Sequence, residues 1–421
     1  MCLINIMQTA STMHPKFARS VHEGASIGRI RHGGRESSGC QPRRRGDQLS
    51  VVGGFQGRGT MSQESSAGDG TSAPASHTEI SKHLNETDLA LVNALQINPR
   101  APWSLIGRTL GIGATTAVRR WQRLVDAGSA WMSAYPGGDL ARRLGLAFAQ
   151  IVCAPGKQLE VAQAIAADAH VPTVDYVAGN YDLLAHVVTP GLTEVSDYVV
   201  HRLSRVPGVV HARILVSPKV FSEGSRWQVR AISPEQRKTL RARASRPTPG
   251  TAFTELDRAL LLALGENGRA ACSELATRLG VSASTVRRHV DALLAAGSVR
   301  LRCEIARGQS PAQVTALLSL RVPPDQLETT ARWFGLLPEV RMCAAVSGSA
   351  NLFVTAWLPS ASDVVSLESG LVTKLPRLEI IDRALVLRPV KLMGHLLDAS
   401  GRSTGRVPLD FWSPILPRVP A

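Results

Sequence analysis

Apolar residues recur at helical spacing in two stretches that lie far apart in the chain. In the first, Leu91, Ala94 and Leu95 mark one amphipathic helix and Trp103 to Leu110 a short second one. Ala117, Trp121 and Leu124 give the inward face of a third, opened by the turn Gly111-Ile112-Gly113. In the second stretch Val286, Val290 and Leu293 repeat that face after Gly280-Val281-Ser282, where Ser282 offers the N-cap oxygen that Gly113 lacks. Alternating segments follow each helical stretch. Strands are predicted over residues 146–153, 173–178, 181–188 and 209–216, with Val210, Ala212, Ile214 and Val216 on one face, and helices over 158–167 and 194–203. Later come strands near 314–322, 340–346, 352–358 and 379–387, with helices near 326–334 and 361–374.

The two stretches are copies. A shift of about 169 residues lays ETDLALVNALQINPRA from Glu86 over ELDRALLLALGENGRA from Glu255, and TLGIGATTAVRRWQRLVDAGS from Thr109 over RLGVSASTVRRHVDALLAAGS from Arg278. The same shift pairs Gly179-Asn180-Tyr181-Asp182 with Gly348-Ser349-Ala350-Asn351. The expected fold class is α+β: two winged-helix-like helix-turn-helix domains, 84–137 and 252–304, alternating with two ferredoxin-like βαββαβ domains, 140–221 and 311–392. A βαββαβ sheet leaves one face bare, and the sheet of the other copy, in the same chain or another, is the natural cover. Residues 222–251 form a linker with a short helix over 234–243; the tail 393–421 is Pro/Gly-broken, and Phe411 and Trp412 either dock on a neighbour or fray.

The chain has 421 residues, 48 Lys+Arg against 33 Asp+Glu and a net charge of +15. That balance favours polyanionic partners, nucleic acid first. Roughly +6 of it lies before Met61, in a Gly/Ser/Arg-rich segment with Arg43-Arg44-Arg45. Residues 1–83 therefore read as disordered, either a basic arm or, with Met61 as an alternative start, the product of a misplaced start codon. No apolar run is long enough to span a bilayer and no signal peptide pattern is present, so no membrane partner is expected. The six cysteines are scattered, which fits a reducing cytoplasm. His186 and His211 read as sheet residues, with no other ligand at metal spacing. No catalytic triad, P-loop or HExxH string is found; no catalytic residue, metal or cofactor is expected.

The outer face of each third helix carries the candidate chemistry. Arg119 and Arg288 project away from Ala117 and Val286; Thr115, Thr116, Arg120 and Arg123 flank the first, and Ser284, Thr285, Arg287 and His289 the second. Guanidinium groups there can bridge guanine O6 and N7 or hold phosphate, and hydroxyls near the helix start suit phosphates and base edges.

A helix-turn-helix worded LGVSASTVRRHV, followed by βαββαβ with Gly179-Asn180-Tyr181-Asp182-Leu183 between the middle strands, resembles the Lrp/AsnC family of prokaryotic transcriptional regulators over residues 84–392. The first copy departs at Gly113, Ala117 and Trp121, and the second has lost the Tyr and Asp of the turn. The resemblance implies double-stranded DNA and a small effector, commonly an amino acid, as partners. It also implies a pseudo-dimer within the chain and, as in the family's rings of dimers, a homo-oligomer. It makes Gly179, Asn180, Tyr181 and Asp182 the effector turn, with Asp182 accepting from an ammonium group. The alternative on the residues alone is that Gly179 supplies a β-turn and Asp182 only caps it. Two other readings stand beside the regulator. One is an enzyme similar to the siroheme decarboxylases, which needs cationic and His residues around the βαββαβ cleft; the other is a sensor partner that does not bind DNA. The two basic third helices favour a reader of two unequal half-sites about 34 Å apart.

Overall fold

The computed structural model describes residues 84–241 and 253–415. The N-terminal arm, Met61, the middle of the linker and the last six residues lie outside the described residues.

The first helical stretch folds as α1 (Glu86–Ile97), α2 (Trp103–Leu110) and α3 (Ala114–Asp126), followed by β1 (Ala130–Pro136) and the short α4 (Gly138–Arg142). The first mixed stretch is β2 (Gly145–Cys153), α5 (Gln158–Ala166), β3 (Thr173–Ala178), β4 (Leu183–Thr189), α6 (Leu192–Asp197), β5 (Val209–Ser217) and β6 (Lys219–Ser222). The linker helix α7 (Pro234–Arg241) leads to the second copy, α8 (Glu255–Glu266), α9 (Cys272–Leu279), α10 (Ala283–Ala296) and β7 (Val299–Ile305). Then come β8 (Val314–Arg321), α11 (Leu327–Phe334), β9 (Val340–Ala345), β10 (Leu352–Leu358), α12 (Ser362–Lys374) and β11 (Glu379–Leu392). A terminal hairpin, β12 (His395–Leu397) and β13 (Ser403–Arg406), closes the fold.

The predicted elements are present, with three corrections. The strand expected over 181–188 starts at Leu183, because Tyr181 and Asp182 belong to the turn before it. The helix expected over 194–203 begins at Leu192 but widens into a π turn at Tyr198–Arg202, where the Tyr198 hydroxyl donates to Asp168 (2.7 Å) and Arg202 pairs with the same carboxylate (3.1 Å). Within the described part of the tail the aromatic pair docks on its own chain: Phe411 is buried, Trp412 stacks on Phe253 (5.4 Å), and Asp410 accepts from Arg258 (2.7 Å).

Strand order β5-β2-β4-β3 in the first copy and β11-β8-β10-β9 in the second is that of the ferredoxin-like sandwich. Alternation along each strand sends one set of side chains to the helices and the other to the opposing sheet. On β2, Ala149 and Ile151 pack toward α5 while Phe148 meets Phe353 of β10 with ring centroids 4.9 Å apart. Each bare sheet face is thus covered by the other copy, with Val177, Leu184 and Leu215 against Leu317, Ala344 and Val346. The edges join as well, since β11 runs on to pair with β3, and β6 pairs with β9. In the first copy the strand equivalent to β11 is broken between β5 and β6 at Pro218, which has no N–H to donate.

The helical stretches are joined in the same reciprocal manner. Arg100 donates to the carbonyls of Gly268 (2.8 Å) and Ala270 (3.0 Å), and Arg269, its counterpart one repeat on, donates to Ala101 (2.8 Å) and Pro99. The strands after the two helix-turn-helix units pair with each other, antiparallel from Ala130 opposite Ile305 to Pro136 opposite Val299. Exchange of like contacts about one axis is what an isologous dimer interface shows, here within a single chain.

Candidate nucleic-acid interface and ligand cavity

Both third helices are built as the apolar pattern requires. Ala117, Trp121 and Leu124 are buried on α3, and Val286, Val290 and Leu293 on α10. The Ser282 hydroxyl caps α10 by accepting from the Thr285 N–H (3.1 Å), whereas Gly113 makes no side-chain cap on α3. Thr285 and Ser284 are both within hydrogen-bonding distance of that Ser282 hydroxyl, 2.9 and 2.8 Å.

The flanking cations divide into two groups. Arg120 pairs with Asp88 of α1 at 2.8 Å, and its counterpart His289 meets Asp257 of α8 at 2.8 Å. The two acids are themselves repeat equivalents, so this contact positions the third helix on the first in both copies. Arg123 makes a looser pair with Asp88 (3.2 Å) and stays largely exposed. Arg119, Arg287 and Arg288 are exposed and have no ion-pair partner among the described residues. Thr115 is exposed and Thr116 half-buried beside Arg119, as Ser284 and Thr285 are beside Arg288.

The turn singled out in the first copy is held against its neighbours at each of its four residues. A Cβ on Gly179 would come within 2.8 Å of the Ala384 side chain, so the turn needs glycine for its close approach to β11. Asn180 donates to Asp382 (2.8 Å), and Tyr181 is buried between the sheets, which raises its hydroxyl pKa. Asp182 accepts from the Cys153 N–H at the end of β2 (2.7 Å). One repeat on, Asn351 accepts from the Val322 N–H (2.9 Å) and donates to the Val322 carbonyl (2.7 Å). The Asp-to-Asn change between copies therefore keeps a strand-end cap. Asp182→Asn should cost under about 1 kcal/mol, whereas Asn351→Ala, which strands two half-buried backbone groups, should cost about 1–2 kcal/mol; urea titration of both variants would check the order.

Sequence reasoning missed a cavity of about 680 Å³ between the β1–β7 ribbon and the βαββαβ sheets. Trp131, Tyr135, Arg300 and Arg302 face it from the ribbon, with Arg307 just beyond; Asp175, His186, Arg341 and Trp357 face it from the sheets, and Glu223 from the linker. Burial pushes the His186 imidazole down to about 4, assisted by Arg302, so it is neutral at pH 7. Burial pushes the Asp175 carboxyl up to about 7 against the pull of Arg307. Burial and the neighbouring Arg302 bring Arg341 down to about 9. Burial would raise Glu223, yet hydrogen bonds from Ser225 and Tyr135 hold it below the usual range. The alternation VRLRCEI in β7 is the signal that could have placed two arginines on one face of the ribbon. Among the described residues no His/Cys/Asp/Glu cluster forms a metal site.

Family models match the chain at three places: an AsnC-type helix-turn-helix domain over residues 84–125, an Lrp/AsnC ligand binding domain over 146–227 and a winged helix-turn-helix over 253–300. An uncharacterized HTH-type transcriptional regulator of Pyrococcus furiosus is 30% identical over 144 residues, which are 34% of this chain and 95% of the relative. The chain belongs to the Lrp/AsnC family. Among solved structures, Escherichia coli AsnC aligns at 14% identity and TM-score 0.27 over 32% of this chain and 93% of its own. The siroheme decarboxylase NirDL aligns at 16% identity and TM-score 0.47 over 73% of this chain and 93% of its own. An Lrp/AsnC unit is matched once by the Pyrococcus relative, and the internal repeat supplies the second.

Proposed function

We propose that the chain is a sequence-specific DNA-binding transcriptional regulator of the Lrp/AsnC type that responds to a small effector, working in the cytoplasm as a fused pseudo-dimer. The observation that carries this reading is the pair of repeat-equivalent helix-turn-helix units, each with exposed, unpaired guanidinium on its third helix. Residues 84–137 and 252–304 act as the DNA-binding domains, and 140–221 and 311–392 as the effector and pairing domains. Arg119 on α3 and Arg287 and Arg288 on α10 contact bases or phosphates, helped by Thr115, Thr116, Ser284 and Arg123. Arg120, His289 and Thr285 hold the helices in place. The two helices differ in sequence, so the half-sites differ.

Arg119→Ala and Arg288→Ala should each weaken DNA binding about 10-fold or more, with footprint protection lost on different half-sites. Loss on both halves alike would reject the unequal reader, and failure to bind any duplex from a chromosomal pool at low salt would reject the regulator. One observation favours a second reading, a tetrapyrrole-binding enzyme: Arg302, Arg307, Arg341 and His186 do stand around the βαββαβ cleft. An absorbance scan of the purified chain for a bound tetrapyrrole tests it.

A further inference from the structure

Charge in the cavity is incompletely met. Glu304, buried beneath its wall, answers both Arg302 and Arg341, and Glu223 answers Arg300 at 3.1 Å. Arg307 has no carboxylate in ion-pair contact among the described residues. Its Nη1 donates to the Ala312 carbonyl at 3.3 Å, and its guanidinium lies 3.2 Å from the centroid of Trp357. Arg341 lies 3.8 Å from the centroid of the same indole, so two cations share one aromatic ring and repel each other. Asp175 acts on Arg307 electrostatically without pairing with it. Arg307 is half-buried, and a guanidinium partly withdrawn from bulk water and left without a carboxylate in contact is unfavourable, so an anion placed in the adjoining space would relieve it.

The space itself limits what the anion can be. At about 680 Å³ it falls in the range of sites for drug-sized ligands and leaves a free amino acid largely unpacked. Trp131, Trp357, Phe221, Met342 and Met393 give it apolar and aromatic walls. Its roof is the β1–β7 ribbon, and each ribbon strand begins a few residues after a third helix ends, α3 at Asp126 before Ala130 and α10 at Ala296 before Val299.

We propose that this cavity binds an organic anion bulkier than an amino acid, with a flat apolar body and its acidic group on Arg307, and that occupancy is transmitted through the ribbon to α3 and α10. The binding part stands without the regulator reading; the transmission part rests on it. The probe is 8-anilinonaphthalene-1-sulfonate, titrated by fluorescence into the full chain, with neutral N-phenyl-1-naphthylamine as its uncharged counterpart. Arg307→Gln should weaken the sulfonate about 10-fold or more, and Asp175→Asn should strengthen it several-fold, while the neutral dye responds to neither. Opposite shifts in two variants cannot come from misfolding. Absence of saturable sulfonate binding, or affinities unchanged in both variants, overturns the site. Saturating sulfonate should shift affinity for a duplex about 5-fold or more in the parent chain and leave Arg307→Gln unmoved. A sulfonate that fills the cavity without moving DNA affinity overturns the transmission alone. A chain that binds the sulfonate and no duplex at all overturns the regulator reading and leaves the site standing.

Discussion

Replacing Glu304 with Gln is expected to destabilise the chain by about 3–5 kcal/mol. Glu304 is 1% exposed and is the carboxylate shared by Arg302 and Arg341, themselves almost wholly enclosed. Loss of its charge leaves two guanidiniums in a low-dielectric wall with a neutral oxygen, the Gly224 carbonyl 3.1 Å from Arg341 and the more distant Glu223 carboxylate to turn to. Guanidinium chloride would be the wrong denaturant, because its ions screen the effect; urea at low salt gives the cleaner measurement. A change below about 1 kcal/mol would mean that water reaches these arginines and that the charge balance drawn for the cavity is wrong.

The second large effect is steric. Gly128 lies between α3 and β1 with φ of +62°, and a Cβ there would land on the Ser403 carbonyl of the terminal hairpin. The two segments are also hydrogen bonded, Ser403 N–H to Gly128 carbonyl at 2.9 Å. Gly128→Val meets both a left-handed backbone that a β-branched residue rarely adopts and a contact with main chain that cannot rotate away. The expected cost is about 3 kcal/mol or more, with release of the β12–β13 hairpin. Limited proteolysis should then cut near residues 398–407 much faster than in the parent, and equal cleavage rates would refute the clash.

Most of the architecture was legible because periodicity and repetition agree. The 3.6-residue stripe on α10 and the alternation on β2 point to the same two layers, and the shift of about 169 residues lets one copy check the other. Asp182 was not decidable from sequence. A carboxylate beside a Gly turn reads as ligand or as cap, and the backbone partner it caps, Cys153, lies 29 residues earlier on another strand. The cations of α3 and α10 were found as a group but could not be sorted, because Arg120 and Arg119 differ only in whether Asp88 stands within reach. The cavity was least visible. Its arginines come from β7, the loop after it and β9, and an Arg alternating with apolar residues on a strand usually marks a solvent face. What encloses them is the pairing of β7 with β1, a partner 169 positions away that no local pattern announces.

That pairing has a consequence for symmetry. Its central rung sets Ser133 against Arg302, two residues that the repeat makes equivalent. In an assembly of identical subunits that rung would confront serine with serine or arginine with arginine. Arg307 and Arg341 likewise correspond to Gly138 and Pro172 in the first copy. The proposed anion site therefore has no repeat-related twin lined by the same arginines, and either half, produced alone and allowed to dimerise, would lack the pairing of Ser133 with Arg302 that shapes this lopsided chamber.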